Sequence, residues 1–341
     1  MDNLSKYLPT CINSGTFLTA YTLNALQQRI NKETIVLPIC SLGTSSSDLK
    51  TLAPLVLPPL YHEAMDPALK REVLSRIQWC FPFCEGTSQR ADFRGNFEIV
   101  ELPPNQPPAN GNAEIVAFSV DTAVEEHGPH LPLMTDTLQS YAVLTQLARS
   151  FPQLSLAPPV EYGHLTWGLP FGLSIDLTAP LLTRYVTGFT NAILRWLQPR
   201  ALYVVDVHGS VVHRNAIKDG LQKSDCNHFT FRWLHEPLVE YAAKRGDQHA
   251  GGVETALIGL INDKLIDPRW WPAQLVELAE KQMTLETALE LSDNLPRFFQ
   301  YVEAHHSNGI VGDIMNFSRV DANLMMQKMI QTASKDVLAL L

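Results

Sequence analysis

The segment from residue 124 to residue 136, VEEHGPHLPLMTD, concentrates groups that can bind a metal ion or move a proton. It holds the carboxylates of Glu125, Glu126 and Asp136 and the imidazoles of His127 and His130. One glycine and two prolines keep it from regular structure, so such a loop loses little entropy when its ligands converge. Oxygen and nitrogen donors of this kind suit Zn²⁺, Mn²⁺ or Fe²⁺. The segment is therefore a candidate metal site.

Each of these residues also has an ordinary structural interpretation. Asp136 could cap the helix that follows it, and His127 or His130 could be a hydrogen-bonded surface histidine. For any one residue alone the ordinary interpretation is favoured. Their joint occurrence directly after a buried strand favours the metal site.

The elements around this loop follow an alternating pattern. Residues 114–120 (EIVAFSV) and 201–207 (ALYVVDV) have the apolar, β-branched composition of buried strands, and residues 181–197 have helical spacing. Strand, helix and strand in this order predict a layered α/β/α domain with a mainly parallel sheet. Because functional groups in such sheets gather at the carboxyl ends of strands, the turns at His127 and His208 are expected to meet.

The proline- and asparagine-rich stretch at 102–112 predicts a linker, which divides the chain into an N-terminal extension (1–101) and a C-terminal domain (113–341). The extension has mixed α/β character, with a strand expected at 34–40 and a helix at 68–78. A similar strand-then-loop outline in both parts could reflect a decayed duplication or chance. We expect the extension to pack on the C-terminal domain or a neighbouring subunit; an independent accessory domain is the alternative.

Composition narrows the function classes. A net charge of −9, with 18% charged residues, argues against nucleic acid or anionic lipid as a partner. The sequence shows no membrane-spanning run and no secretory signal at its start, so we expect a cytoplasmic protein. Five scattered cysteines indicate reduced thiols. Cys80 and Cys84 could form a metal pair, but buried core thiols are favoured.

The sequence lacks a GxSxG elbow, a P-loop and a GxGxxG fingerprint. Their absence argues against the commonest serine hydrolases, NTPases and dinucleotide enzymes.

Residues 125–136, EEHGPHLPLMTD, resemble the creatininase family signature E-Q-H-G-P-H-L-P-L-x-T-D. The resemblance implies that Glu125, His127 and Asp136 bind a two-metal centre, with Asp136 bridging the ions. Glu126 replaces the usual glutamine and need not bind anything.

Three further segments resemble the family in the same order. Residues 203–209 are similar to the strand and turn that present a fourth ligand, here His208. Residues 249–255 (HAGGVET) imply that Glu254 is the fifth ligand and that His249 is a catalytic proton donor, whereas Gly252 replaces a glutamate. Residues 307–313 (SNGIVGD) resemble the closing segment.

The chain departs from the family at residues 162–172, where Thr166, Trp167 and Gly168 replace the usual Glu-His and Phe-Pro-Gly-Thr pattern. Since this loop contributes to the substrate pocket, His164 and Trp167 are candidate substrate-binding residues. We expect a substrate other than creatinine.

The resemblance implies a metal-dependent amidohydrolase with two divalent ions (Zn, Mn or Fe) and a small cyclic amide or N-acyl or formyl amide as substrate. It also implies a homo-oligomer, often a hexamer. Two alternatives stay open: a hydrolase or lyase that does not act on amides, and a catalytically inactive binding subunit.

Overall fold

A computed structural model describes residues 33–44, 48–49, 52, 55–80, 96–104, 114–269 and 274–341. Within these residues eight strands form two parallel four-stranded sheets. The strands are β1 (Ile35–Cys40), β2 (Leu55–Val56), β3 (Leu60–Tyr61), β4 (Phe97–Glu101), β5 (Ile115–Ser119), β6 (Leu154–Leu156), β7 (Ala201–Asp206) and β8 (Phe229–Trp233).

Ten α-helices accompany these strands in the described ranges. They are α1 (Pro67–Cys80), α2 (Thr135–Ser150), α3 (Ala179–Leu197), α4 (Val211–Gln222), α5 (Val239–Arg245), α6 (Gly252–Asn262), α7 (Leu275–Glu280), α8 (Leu285–Leu291), α9 (Leu295–His305) and α10 (Ala322–Leu340). No described helix is both long and apolar enough to cross a membrane.

The central sheet has the strand order β6-β5-β7-β8. Its two middle strands, β5 and β7, pair in register from Ile115 with Ala201 to Ser119 with Val205. Every residue of both strands is buried, as expected for a parallel sheet covered on both faces. These are the two strands predicted from the apolar runs in the sequence.

Alternate residues of the central sheet enter two different hydrophobic cores. Val116 and Val204 face the core that contains α3 and α4, whereas Ala117 and Val205 face the core that contains α2, α6 and α10. Because side chains alternate across a strand, helices cover both faces. The predicted layered α/β/α architecture is confirmed.

The second sheet belongs to the N-terminal part. Strand β1 lies between β4 on one side and the short strands β2 and β3 on the other. The strand and helix expected at 34–40 and 68–78 are present as β1 and α1. Residues 105–113 and 1–32 lie outside the described residues, so the division of the chain at 102–112 stays a prediction.

This N-terminal part packs directly on α3, in the same core as the central sheet. A Cβ atom at Gly188 would lie 2.0 Å from the carbonyl oxygen of Ala64, so only glycine allows this approach. The rings of Tyr61 and Phe189 lie 5.6 Å apart. The two parts therefore share one hydrophobic core.

The three described cysteines, Cys40, Cys80 and Cys226, are free and buried. Burial raises the pKa of the Cys40 and Cys80 thiols to about 11, which keeps them protonated and unreactive near neutral pH. Cys84 lies outside the described residues.

Candidate metal centre

The carboxyl ends of β5 and β7 position the candidate ligands. Glu125 and His127 lie on the loop that follows β5, and His208 lies on the turn that follows β7. Asp136 and Glu254 lie in the first turns of α2 and α6. The structure thus brings together the five residues predicted to bind metal.

Asp136 does not cap its helix. The N-cap of α2 is Met134, which makes no capping hydrogen bond through its side chain. The Asp136 carboxylate instead accepts a hydrogen bond from the hydroxyl of Thr122, which lies 2.9 Å from Oδ2. The capping interpretation is therefore wrong, and the side chain faces the cluster.

Asp136 lies at the centre of two groups of donors. Its Oδ2 faces Nδ1 of His208 at 3.5 Å, and that nitrogen lies 3.0 Å from Glu125. Its Oδ1 faces Nε2 of His127 at 3.3 Å, and that nitrogen lies 3.9 Å from Glu254. Within each three-residue group the donor atoms lie within 4.8 Å of one another, which is a spacing that a single cation can span.

Each imidazole of the cluster is oriented by a main-chain carbonyl. His127 donates from Nδ1 to the carbonyl of Glu125 (3.2 Å), and His208 donates from Nε2 to the carbonyl of His164 (3.1 Å). Because a carbonyl only accepts, the other ring nitrogen carries a lone pair when the ring is neutral. That lone pair points toward the carboxylates. Metal-ligating histidines usually have an outer partner of this kind.

The burial of these groups tests whether a cation fits. Glu125, His127 and Asp136 are each at most 2% exposed. Among the described residues, Nε2 of His127 and Oδ1 of Asp136 have no hydrogen-bond partner. Buried charges and buried polar atoms cost free energy unless they have a hydrogen-bond partner, an opposite charge or a metal ion. The donor set therefore fits a divalent cation.

Electrostatics agree with this fit. Burial alone would raise the pKa of the Asp136 carboxyl, but the imidazoles of His127 and His208 hold it well below its usual range. Burial alone would lower the pKa of His208, but Glu125 and Asp136 raise it. The cluster thus favours an ionised carboxylate surrounded by positive charge.

His249 lies beside the same cluster. Its Nε2 donates to the carbonyl of Glu126 at 2.8 Å, and its Nδ1 faces Oε1 of Glu125 at 3.7 Å. The rings of His249 and His127 lie 4.4 Å apart. His249 also forms a third candidate group of metal donors with Glu125 and His127, so its geometry suits a ligand as well as a proton donor.

The closing segment at 307–313 holds His249 and Glu126 in place. The main chains of His249 and Val311 exchange hydrogen bonds of 2.8 and 2.9 Å. Gly309 has a positive φ of 86°, and a Cβ there would lie 1.8 Å from Oε2 of Glu126. A side chain at 309 would thus displace the carboxylate.

Two contributors to the site were not assigned from the sequence. The Thr122 hydroxyl contacts both Glu125 and Asp136. Glu126 is buried, lies 3.4 Å from Nε2 of His249 and accepts the N–H of Gly128. The position of Thr122, directly after a buried strand, could have indicated it.

The two predicted substrate-binding residues are engaged elsewhere. The His164 ring donates to the carbonyl of Leu177 (3.1 Å) and lies 3.2 Å from Asp176, so its main chain, not its ring, contacts His208. The Trp167 ring packs edge-on against Phe298 with centroids 5.7 Å apart. Their roles in substrate binding stay predictions.

Two residues near the ligands, Asp206 and Gly252, are fixed by close contacts. Asp206 is buried and accepts the N–H of Gly209 at 3.1 Å, which closes the turn that presents His208. A Cβ at Gly252 would lie 2.7 Å from the carbonyl oxygen of Asp313 and 3.2 Å from a carboxylate oxygen of Asp247. The space beside Gly252 is therefore filled by the main chain of Asp313 and the side chain of Asp247.

Comparisons with known proteins agree with the motifs. The family model described as "Creatininase: Creatinine amidohydrolase" matches residues 114–337, more than half of the chain. The protein therefore belongs to the creatininase family of amidohydrolases.

A curated relative, the "Mycofactocin precursor peptide peptidase" of Mycobacterium ulcerans (strain Agy99), is 27% identical over 152 residues. The match covers 42% of this chain and 57% of the relative, a little over half of its length.

Two solved structures are also similar. "Creatininase Mn" is 16% identical with a TM-score of 0.48 and covers 65% of this chain and 89% of its own. "Crystal structure of creatinine amidohydrolase (creatininase)" is 17% identical with a TM-score of 0.47 and covers 65% and 88%.

Proposed function

We propose that this protein hydrolyses the carbon-nitrogen bond of a small amide with two divalent cations, Zn²⁺, Mn²⁺ or Fe²⁺. The observation that carries the proposal is the position of Asp136 between two groups of buried donors, one on each carboxylate oxygen. Glu125 and His208 would hold one ion with Asp136. His127 and Glu254 would hold the other.

A divalent pair would supply Lewis acidity, which polarises a carbonyl and lowers the pKa of a bound water toward about 7. The chain's own residues keep the donors ready. The carbonyls of Glu125 and His164 fix the imidazoles of His127 and His208, and Thr122 fixes the two carboxylates that flank its hydroxyl. Preorganised groups of this kind lower the reorganisation needed during reaction.

His249 is the proposed proton donor. An amide nitrogen leaves poorly until it is protonated, so a general acid must reach it. Since Nε2 of His249 donates to the carbonyl of Glu126, the proton available for transfer is the one on Nδ1. The side chain is 22% exposed, which gives a substrate access that fully buried His127 lacks.

The proposed substrate is a cyclic amide or an N-acyl or formyl amide other than creatinine. The replacement of the family's loop sequence by Thr166, Trp167 and Gly168 supports a changed pocket. The peptidase name of the curated relative adds a short peptide to the amides worth testing.

Elemental analysis tests the metal assignment. Wild-type protein reconstituted separately with zinc, manganese or iron is expected to hold close to two ions per chain. Asp136→Asn keeps the shape of the side chain but removes its charge, and it should lose both ions. Absence of metal from the wild-type protein after all three treatments would overturn the two-metal proposal.

A substrate panel tests the reaction class. Lactams, cyclic ureas, formamides, short peptides and creatinine should be assayed with the metal that binds, with Asp136→Asn as the inactive control. Turnover of an amide supports the proposal. Turnover of a non-amide compound alone would favour the other hydrolase or lyase, and two bound ions without any turnover would favour an inactive binding subunit.

The proposal includes a homo-oligomer, a hexamer by resemblance to the family. Val211 and Val212 are 62% and 48% exposed and lie at the start of α4, just after the His208 turn. A subunit contact at the mouth of the site would bury them. Light scattering after size-exclusion chromatography measures the oligomeric state. A monomer at micromolar concentration would contradict this part of the proposal.

A further inference from the structure

The segment from residue 174 to residue 177 joins the loops that carry the candidate ligands. The hydroxyl of Ser174 accepts the N–H of Glu126 at 3.1 Å, and the N–H of Ile175 donates to the carbonyl of Val124 at 2.9 Å. Both bonds fix the main chain on either side of Glu125. The segment thus supports the loop after β5.

Asp176, in the same segment, fixes the loop that contacts His208. Its Oδ1 accepts the N–H of Leu165 at 2.7 Å and lies 3.2 Å from Nδ1 of His164. The carbonyl of His164 accepts Nε2–H of His208 at 3.1 Å. The orientation of the His208 imidazole therefore depends on a main-chain group that Asp176 holds.

Helix α1 of the N-terminal part reaches Asp176 from 100 residues earlier in the chain. Arg76 donates from Nε to the Asp176 carbonyl at 2.9 Å, and its Nη2 pairs with the carboxylate. Sγ of Cys80 lies 3.4 Å from both the N and the O of Asp176. The Arg76 side chain is 19% exposed and that of Asp176 only 2%, so solvent screens this charged pair weakly.

We propose that Arg76 is a positioning residue of the metal centre: through Asp176 and the main chain of His164 it sets the orientation of His208. The N-terminal part is then a functional component of the site and not only a packed accessory. This inference rests on the proposed function, in which His208 binds metal. Loss of an outer partner of a ligating histidine typically weakens metal affinity about 10- to 100-fold.

A second ion pair across the same interface provides a matched control. Arg184 of α3 binds Glu72 of α1 at 2.7 Å, and both side chains are about half exposed. This pair also joins the N-terminal part to the C-terminal domain. The pair makes no hydrogen bond to the described residues 174–177. Its loss should therefore weaken the packing of the N-terminal part on α3 without changing the orientation of the His208 ring.

The test compares full-length wild type, Arg76→Ala, Arg76→Lys and Arg184→Ala. Zn²⁺ affinity is measured by competition with a chelator, and the visible spectrum of the Co²⁺-substituted protein reports ligand geometry. We expect Arg76→Ala to lower the affinity for one ion about 10-fold and to shift the absorption bands of the Co²⁺-substituted protein. Arg76→Lys should show a smaller change because lysine keeps the charge but not the two-point contact. Arg184→Ala should match wild type.

Three outcomes would overturn the assignment. The first is wild-type affinity and spectrum in Arg76→Ala, and the second is an equal loss in Arg184→Ala, which would indicate a general effect of docking. Should Arg76→Ala fail to fold, Arg76→Lys carries the test, and an unchanged spectrum there is the third. A wild-type chain that binds neither Zn²⁺ nor Co²⁺ would overturn the proposed function itself.

Discussion

The hydroxyl of Thr122 lies 2.9 Å from Oδ2 of Asp136, on the side of the candidate metal centre that holds Glu125 and His208. The same hydroxyl contacts the carboxylate of Glu125. One short side chain thus contacts two acids that repel each other when both are ionised, and its single hydroxyl hydrogen binds one of them at a time. Carboxylates that ligate metals are commonly fixed by such outer hydrogen bonds.

Thr122→Val tests this relationship. Valine keeps the shape of threonine but cannot donate a hydrogen bond, so Glu125 and Asp136 lose a fixed partner. We expect metal affinity to fall about 10- to 100-fold. Thr190→Val, a buried threonine in α3 outside the site, is the matched control and should bind metal like wild type. Equal affinities in Thr122→Val and wild type would contradict the prediction.

His249→Asn tests the proton donor. Turnover should fall about 100-fold or more while both ions stay bound, because general acid catalysis contributes about 10² to 10⁴. His305→Asn replaces an exposed histidine at the end of α9 and should leave turnover unchanged. Loss of an ion from His249→Asn would instead identify His249 as a ligand, as its group with Glu125 and His127 would allow.

Asp247→Asn should change the pH dependence of stability in the metal-free protein. Burial raises the pKa of the Asp247 carboxyl from 3.8 to about 6. The hydrogen bond from Val253 lowers this pKa, and the negative charge of Glu254 raises it further. The folded chain therefore keeps a proton between about pH 4 and pH 6 that the unfolded chain releases. Hence the free energy of unfolding falls as the pH rises through this interval.

The pKa change of Asp247 corresponds to roughly 3 kcal/mol at about 1.4 kcal/mol for each tenfold change in acidity. Asparagine can still accept the N–H of Val253, which lies 2.7 Å from the carboxylate. The free energy of unfolding of the variant should thus exceed that of wild type above pH 6, and this difference should disappear near pH 4. Urea titrations in EDTA at both pH values measure this, and parallel pH profiles would refute it.

The fragment 112–341 should be insoluble or much less stable than the full chain. Without the N-terminal part it loses the contact of Ala64 with Gly188 and the hydrogen bond from the Tyr162 hydroxyl to the carbonyl of Pro58, 2.6 Å long. It also exposes the apolar face of α3, which favours association. A monodisperse fragment with the full chain's thermal midpoint and activity would show that residues 1–111 are dispensable.

The central sheet was predictable because its signals are local. Strands β5 and β7 are continuous apolar runs, and the helices beside them have a clear apolar periodicity. Glu125, His127 and Asp136 fall within one short constrained loop, so their proximity follows from the sequence alone. His208 was expected near this loop because its turn also follows a predicted strand, whereas Glu254 came only from similarity to a family motif.

The strand pattern and the types of donor residue could be predicted from the sequence, because both depend on neighbours a few residues apart. The packing of the folded chain placed Gly252 against the main chain of Asp313 and brought Arg76 to Asp176. These pairs are up to 100 residues apart. Contacts at such separations depend on how helices and sheets pack together, and no local pattern of residues specifies them.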